Sequence, residues 1–575
     1  MNKQLLILGC SQTKRKCDGL LPAIDRYDGP PFRVIRKFLR EHQWPSNVSI
    51  GVLSARHGLF GILKGIKDYD MRMDLATAKA KAPDCLAILK KWIPDHDTFH
   101  LSLGKDYLPA IEPALEALKI RPSRFSGPIG MKMSNIKSFL ESTSSDRRER
   151  AEVEGGAGKR TYFLPDWDDL LDPNFDFEQD VFSGKTRKER QDKHCSVLMQ
   201  PEQMCDGVLV SLAQNGTSKG PLRRLEGTEL GALSPLPLRR QFGLSSRQYL
   251  FGDCGAFSYV NEEEPTISVE QAVALYELYD FNFGASVDHI PVKKINKNGE
   301  KTLLSDEERQ KRVTITRENA KVFIEVANKR KALFNPVGTI QALSPDQYAQ
   351  SVRDYYGFGY RHIALGGLVP LRDSEIESIV RAVVSTANDL KERPWIHLFG
   401  VFRPKLQDLF HELKIDSFDS ATYFRKAWLR STQNYLGKNG KWYAALRVPM
   451  TRDGRTRKRL IAVKADIDQL EQEEREVLDL LCLYDKDQAN VGEVLEALLS
   501  YDQHLARSSE TQSMREQYRR TLEDRPWRMC ECPFCKEIGI HTLIFRGANR
   551  NKRRGAHNTL MLYERIQKGN HVQSI

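Results

Sequence analysis

The sequence has no run of about 20 apolar residues, the length a helix needs to cross a bilayer, so no membrane span is expected. Nor is a secretory leader: the short apolar start of MNKQLLILGCSQTKRK meets charge at once, and no small-residue cleavage site follows. No period of about 20–50 residues repeats, which argues against a solenoid. Cysteine is sparse, ten in 575 residues, and scattered except for three between 530 and 535. That pattern suits reduced thiols and a metal site in a cytoplasmic protein rather than a disulfide framework.

Charge, by contrast, is abundant and tilted. Lys and Arg number 88 against 76 Asp and Glu, a formal +12 with a pI near 9.0. Such a balance suits a partner made of phosphates, and clustering sharpens the reading. KNGKWYAALRVPMTRDGRTRKRL (437–459) reads as a basic, hairpin-like stretch with aromatics interleaved, and RGANRNKRRGAH (546–557) is a second basic run. Neutralising phosphates and stacking on bases want that mixture. Between them, DIDQLEQEEREVLDLLCLY and VGEVLEALLSYDQHL read as helices.

Apolar runs at 4–9, 48–54 and 98–104 alternate with the helical patterns FRVIRKFLREH and CLAILKKWI, which predicts a small α/β domain over 1–135. Residues 136–160 lose apolar periodicity and gain Ser, Gly and charge, as a linker does. From 161 a longer alternation begins. Apolar or β-branched runs fall at 207–213, 249–257, 281–288, 334–341, 360–367, 395–401 and 417–421. Helical patterns at 269–280, 309–331, 344–356, 373–391 and 405–414 separate most of the later ones. The alternation predicts a (β/α)8 TIM barrel over 161–430, followed by an insertion over 431–527 and a metal-binding subdomain over 528–575. Active sites in such barrels lie at the C-terminal ends of the strands, where Asp253, Asp288, Gln341, Gly366, Gly367 and Asp419 fall. One Asp there is more often a helix cap or turn former; three carboxylates on strand ends point to a site.

Cys530, Cys532 and Cys535 form C-x-C-x2-C, and His557 follows. Three thiolates and one imidazole complete a tetrahedral zinc shell with no open position, hence a structural site. A redox trio would not need the histidine.

C-x-C-x2-C followed by His-Asn near the C-terminus, after a barrel, resembles the tRNA-guanine transglycosylase superfamily. FGDCGAF, GASVDH, VGTIQA, IALGGL, HLFGVFRP and IDSFDSATYFR resemble its site segments, in the right order, over roughly 165–430 and 528–560. The resemblance implies a base-exchanging enzyme with Asp419 as nucleophile and Asp253 as general acid and base. It implies base contacts from Asp288, Gln341, Gly366, Gly367, Leu368 and Cys254, with Phe257 or Tyr259 able to stack. Zinc would sit on Cys530, Cys532, Cys535 and His557. Arg425 and the basic run from Asn549 through Lys552, Arg553 and Arg554 would face nucleic acid, and the superfamily commonly forms homodimers. Where tRNA enzymes carry Ser, Gly, Gln and Cys, this chain has Cys254, Ala256, Ser258 and Ser420, and Tyr423-Phe424 replace Pro-Thr. Those departures, with TYFLPDWDDLLDPNFDFEQD (161–180), resemble the DpdA branch, which places 7-deazaguanine bases in DNA. The expected partners are DNA and a 7-deazaguanine base, with tRNA the alternative, in the cytoplasm of a bacterium or phage-infected host, and with neither ATP nor a redox cofactor.

LILGCSQTKRK, LPAIDRYDGPPFRVIRKFL, GVLSARHGLF and IKDYDMRM resemble a YaaA-like α/β domain, whose polar residues here are Ser11, Lys14, Tyr27, Ser54, Arg56, His57, Gly58 and Tyr69. Two other classes stay open on the residues alone. One is a catalytically dead nucleic-acid binder with a zinc clip. The other is a base-removing glycosylase in which water resolves the covalent intermediate.

Overall fold

Four consecutive apolar residues in QLLILG make a strand buried on both faces. This strand, β1 (Gln4–Gly9), is the middle of a five-stranded sheet. β2 (Val48–Ser54) and β4 (Thr98–Ser102) flank it in parallel, β3 (Gly58–Gly61) lies antiparallel beyond β2, and β5 (Ser123–Arg124) lies parallel beyond β4. Helix α2 (Leu75–Trp92) packs against α3 (Leu108–Ala117), and α1 (Pro30–Glu41) against α4 (Ile129–Thr143). Leu5, Ile7, Leu53, Leu89, Trp92 and Leu101 fill the core between sheet and helices, each worth about 1.5–3 kcal/mol of burial. The computed structural model describes residues 2–16, 19–143, 160–166, 169–213, 232–235, 238–297, 299–429, 432–462, 466–505 and 508–567. Helix α4 therefore runs into the expected linker, and 144–159 of that linker lie outside the described residues.

The barrel is closed. Its strands are β6 (Thr161–Pro165), β7 (Gly207–Ser211), β8 (Tyr249–Asp253), β9 (Phe283–Ala285), β10 (Asn335–Ile340), β11 (His362–Leu365), β12 (Trp395–Leu398) and β13 (Ser417–Asp419). The order round the barrel is β7-β8-β9-β10-β11-β12-β13-β6. The pairings from β8 to β12, and that of β13 with β6, are parallel. Seven of these strands follow the runs read from sequence; β6 was not singled out there, because its five residues stand next to a charged, aperiodic stretch.

Helices α5 (Val269–Leu278), α6 (Asp306–Arg330), α7 (Pro345–Phe358) and α8 (Asp373–Asn388) follow β8, β9, β10 and β11. Ser268 and Ser305 open α5 and α6 with capping boxes, and Ser344 caps α7. Glycine on the strands makes room for tyrosine on the helices. A Cβ at Gly252 or Gly284 would overlap the Tyr276 ring, and one at Gly338 the Tyr355 ring. Each tyrosine then donates to a strand carbonyl, Tyr276 to Ala285 at 3.1 Å and Tyr355 to Thr339 at 2.8 Å.

By compactness the chain divides into two units: Met1–Gly155 with Leu209–Leu238 and Tyr249–Phe399, and Gly156–Val208 with Arg239–Gln248 and Gly400–Ile575. In the second unit, the 437–459 stretch is not a hairpin throughout. The hairpin is β14 (Tyr435–Leu436) with β15 (Trp442–Tyr443), and GRTRKRLIA forms helix α9 (Gly454–Ala462). The two helices read from sequence form as α10 (Ile467–Asp485) and α11 (Val491–Leu505), joined by α12 (Ser508–Asp524), which the sequence reading passed over. Strand β16 (Leu446–Arg447) pairs with β17 (Ile544–Phe545), ahead of the long α14 (Gly547–Gln567). Among the described residues no helix is long and apolar enough to cross a membrane.

Candidate active site

Within the first unit, the ends of β8 to β11 bring most of the expected base-binding residues together. Asp253 closes β8 and Cys254 follows it, fully buried. The Cys254 thiol donates to Asp288 Oδ1 at 2.9 Å, and Gln341 Nε2 donates to Asp288 Oδ2 at 2.7 Å. The ligating atoms of Asp253, Cys254 and Asp288 all lie within 4.8 Å of one another. Burial pushes the Asp288 carboxyl pKa up, while the bonds from Cys254 and Gln341 pull it back. The thiol of Cys254 is itself pushed well up, first by burial and then by the Asp288 and Asp253 charges. It is a neutral donor, not a nucleophile.

Gln341 Oε1 is buried and has no hydrogen-bond partner among the described residues. Its amide lies against Gly366, where a Cβ would collide with it, and Gly367 takes a φ of +73°. Glycine at both positions lets the backbone run close to a flat ligand. Tyr348 fixes that backbone by donating to Gly366 O at 2.7 Å, and Leu368 is buried behind it.

Two aromatic expectations separate. Tyr259 is buried, donates to the Asp288 carbonyl at 2.9 Å and stands 3.0 Å from Cys254 Sγ, so its ring braces the pocket and is not free to stack. Phe257 is 67% exposed, an unusual state for a large apolar ring. Tyr259 as a brace, and Tyr348, carried no sequence signal beyond an ordinary core tyrosine.

In the second unit, Asp419 ends β13 almost fully buried, and the backbone N–H of Gly400 donates to its Oδ1 at 2.8 Å. Gly400 has a φ of +70°, a conformation that suits glycine. Beside it, Ser420 Oγ donates to Thr422 Oγ1 at 3.0 Å, and the buried Tyr162 hydroxyl donates to Ser420 O at 2.9 Å. Arg425 is exposed.

Cys530, Cys532, Cys535 and His557 are all buried and converge. The three sulfurs lie 3.5, 3.4 and 3.6 Å from His557 Nδ1. His557 Nε2 lies 2.9 Å from Leu436 O, a carbonyl that can only accept. The proton therefore sits on Nε2, and the Nδ1 lone pair points at the thiols. The Tyr435 ring stacks on the imidazole at 4.0 Å. This four-residue cluster is compatible with a structural metal site.

The basic run is a correction. Arg553 and Arg554 are essentially unexposed, and Arg550 and Asn549 are also buried. Arg554 donates to the carbonyls of Ala427, Thr542 and Ile544, and Arg553 to Asp172 O at 2.9 Å. Arg550 pairs with Asp180 and donates to Phe177 O at 2.5 Å, while Lys552 donates to Leu170 O at 3.2 Å. These groups hold α14 inside the protein and do not present their charge to phosphates.

A family model described as queuine tRNA-ribosyltransferase matches residues 300–449. The DNA-guanine transglycosylase of Salmonella montevideo is 34% identical over 414 residues, 71% of this chain and 97% of that protein. The tRNA-guanine(15) transglycosylase of Nanoarchaeum equitans is 34% identical over 123 residues, 20% of this chain and 28% of its own length.

Proposed function

The chain belongs to the tRNA-guanine transglycosylase superfamily and is a pentosyltransferase-type enzyme, and from that premise we propose that it replaces guanine in DNA by a 7-deazaguanine, 7-cyano-7-deazaguanine in particular. The observation that carries the reading is the pairing of Asp288 with Gln341. A buried carboxylate and a buried amide oxygen lacking a donor form an edge that awaits a ligand rich in N–H groups. A guanine-like base supplies such groups from its ring N–H and exocyclic amine, while the backbone at Gly366–Leu368 addresses its carbonyl side. DNA is favoured over tRNA because the similarity to a DNA-guanine transglycosylase runs through nearly all of that protein.

Asp253, Asp288, Gln341 and Asp419 each occupy or adjoin a strand's C-terminal end, where barrel enzymes place their chemistry. Asp419 attacks the anomeric carbon as a carboxylate. The bond from that carbon to guanine N9 breaks, guanine leaves with a proton from Asp253, and a glycosyl-aspartate remains. The incoming base gives its N9 proton to Asp253, attacks the same carbon and releases Asp419, so two inversions retain the configuration. One glycosidic bond replaces another, and no energy source is consumed. The target nucleotide has to leave the stack first, at a cost of a few kcal/mol.

Zinc is the metal the clip fits. With Zn–S near 2.3 Å and Zn–N near 2.05 Å, a tetrahedral shell puts sulfur and nitrogen about 3.6 Å apart, which agrees with the 3.4–3.6 Å separations here. The ion would cross-link α14 to α13 (Pro533–Ile538) and take no part in catalysis. The mechanism is tested by acid-quenching the protein with guanine-containing DNA and no acceptor base. A protein–DNA adduct that survives denaturation and vanishes in Asp419→Asn supports it; an adduct that persists in Asp419→Asn refutes the assignment.

A further inference from the structure

The carboxyl ends of the N-terminal strands carry a polar cluster of their own. The chain leaves β1 to pair first with β2 on one side and later with β4 on the other, so the connections diverge at the carboxyl ends of β1 and β4. In open α/β sheets, ligands bind outside the strand ends at such a switch point. The Tyr107 ring lies over Gly9 and Gly104, 3.6 Å from where a Cβ on either would be. Its hydroxyl is 3.1 Å from Cys10 Sγ, just past the end of β1.

Ser54 Oγ accepts from the N–H groups of Arg56 and His57, both at 3.2 Å, and its own proton goes to the Tyr69 hydroxyl at 2.8 Å. Tyr27 Oη is fully buried and lies 2.6 Å from Tyr69 Oη, either of the two able to donate. Tyr69 Oη thus joins Tyr27 and Ser54 in one hydrogen-bonded cluster, with Cys10 beside it. Two cations flank the same ring, Lys14 Nζ at 4.3 Å and the Arg56 guanidinium at 5.8 Å from its centroid. His57 packs edge-on against Tyr69 at 5.1 Å, and burial with the neighbouring Lys64, Arg56 and Lys81 pushes its pKa down to about 4, so it is neutral at pH 7. Among the described residues, neither Lys14 nor Arg56 takes part in an ion pair. Among the described residues, Asp68, whose carboxylate accepts the Tyr69 N–H, and Asp106 beside Tyr107 bring acid to the cluster.

Phenols and a thiol beside two cations that form no ion pair among the described residues, Lys14 donating to Gln12 O at 3.3 Å, suit an acceptor-rich anion. We infer that this cluster at the strand ends is a second binding site, distinct from the base pocket of the barrel, and that it takes a phosphate monoester such as a free nucleotide or a 5′-phosphorylated DNA end carries.

The test is titration calorimetry on the full chain, with deoxyguanosine 5′-monophosphate against deoxyguanosine, and a 5′-phosphorylated oligonucleotide against its 5′-hydroxyl twin. The phosphorylated member of at least one pair binds more tightly. Lys14→Ala and Arg56→Ala each weaken it about tenfold or more, as loss of a charge-assisted bond does. Tyr69→Phe keeps the ring, leaves the melting curve intact and still weakens binding. Preference for the mononucleotide identifies a free nucleotide as the source, and preference confined to the oligonucleotide a DNA end. Equal binding within both pairs overturns the inference, as does unchanged affinity in Lys14→Ala and Arg56→Ala. Base exchange plays no part in this readout, so its failure leaves the activity of the barrel untouched.

Discussion

Cys254 and Gln341 both donate to the Asp288 carboxyl inside the barrel, yet burial still raises its pKa. The folded state thus holds the Asp288 proton more readily than the unfolded chain. Its contribution to stability falls as pH rises from the unfolded value, near 3.8, through the raised folded value. Above that range the buried carboxyl is a cost to the fold, borne for recognition. In Asp288→Asn the new amide can donate to Gln341 Oε1, which lacks a donor. Calorimetry at pH 7 is therefore expected to give a Tm at or above the parent's, while base exchange falls about 100-fold or more. A lowered Tm would mean that Asp288 serves the fold first. At this scale the sequence was informative where a motif fixes chemistry: Asp253, Cys254, Asp288 and Gln341 converge. It did not show Tyr259 as a brace or Gly400 N–H as a donor to Asp419, because those parts depend on neighbours brought together from distant strands.

Helix α14 shows where element-level reading misleads. A run of arginines in RGANRNKRRGAH looks like a phosphate-binding surface when read as composition. Arg546, Arg550, Arg553 and Arg554 recur at three- and four-residue spacing and so share a helix face, and that face is buried against carbonyls and Asp180. Gly555 allows the close approach, since a Cβ there would stand 2.8 Å from Phe424 O. Burial brings the Arg554 pKa down to about 9. Arg554→Ala leaves three buried carbonyls short of a donor and is expected to destabilise the protein by about 3 kcal/mol, leaving the salt dependence of DNA binding unchanged. Arg425→Ala is expected to do the reverse, lowering the slope of log K against log salt by about 0.9 with little change in Tm. Denaturation curves paired with binding isotherms at several salt concentrations separate the two. A reduced salt slope in Arg554→Ala would restore α14 as a nucleic-acid contact.

For the whole molecule, acid stability follows from buried neutral histidines. Burial lowers the pKa of His194 to about 3 and those of His289 and His541 to about 4. Because these lie below the usual value near 6.5, the unfolded chain takes up protons first as pH drops. Stability present above pH 6.5 is lost between there and pH 4. Tm by scanning calorimetry is expected to fall steadily from pH 7 to pH 4.5; a flat profile would contradict the assignment. Barrel, α/β sheet and metal cluster were legible in the sequence because each rests on a local pattern: strand–helix alternation, apolar runs and cysteine spacing. The opening barrel strand Thr161–Pro165 and the helix Ser508–Asp524 were not, one for its brevity and the other for its polar composition.

The central claim, guanine exchange in DNA, is tested most directly by incubating the protein with guanine-labelled DNA, and in parallel with guanine-labelled tRNA, in the presence of 7-cyano-7-deazaguanine. Label released from DNA and not from tRNA, only with the deazaguanine present and not by Asp419→Ala, is the predicted result. Release from tRNA alone would contradict the assignment to DNA, and release from DNA without an acceptor base, leaving abasic sites, would contradict base exchange itself.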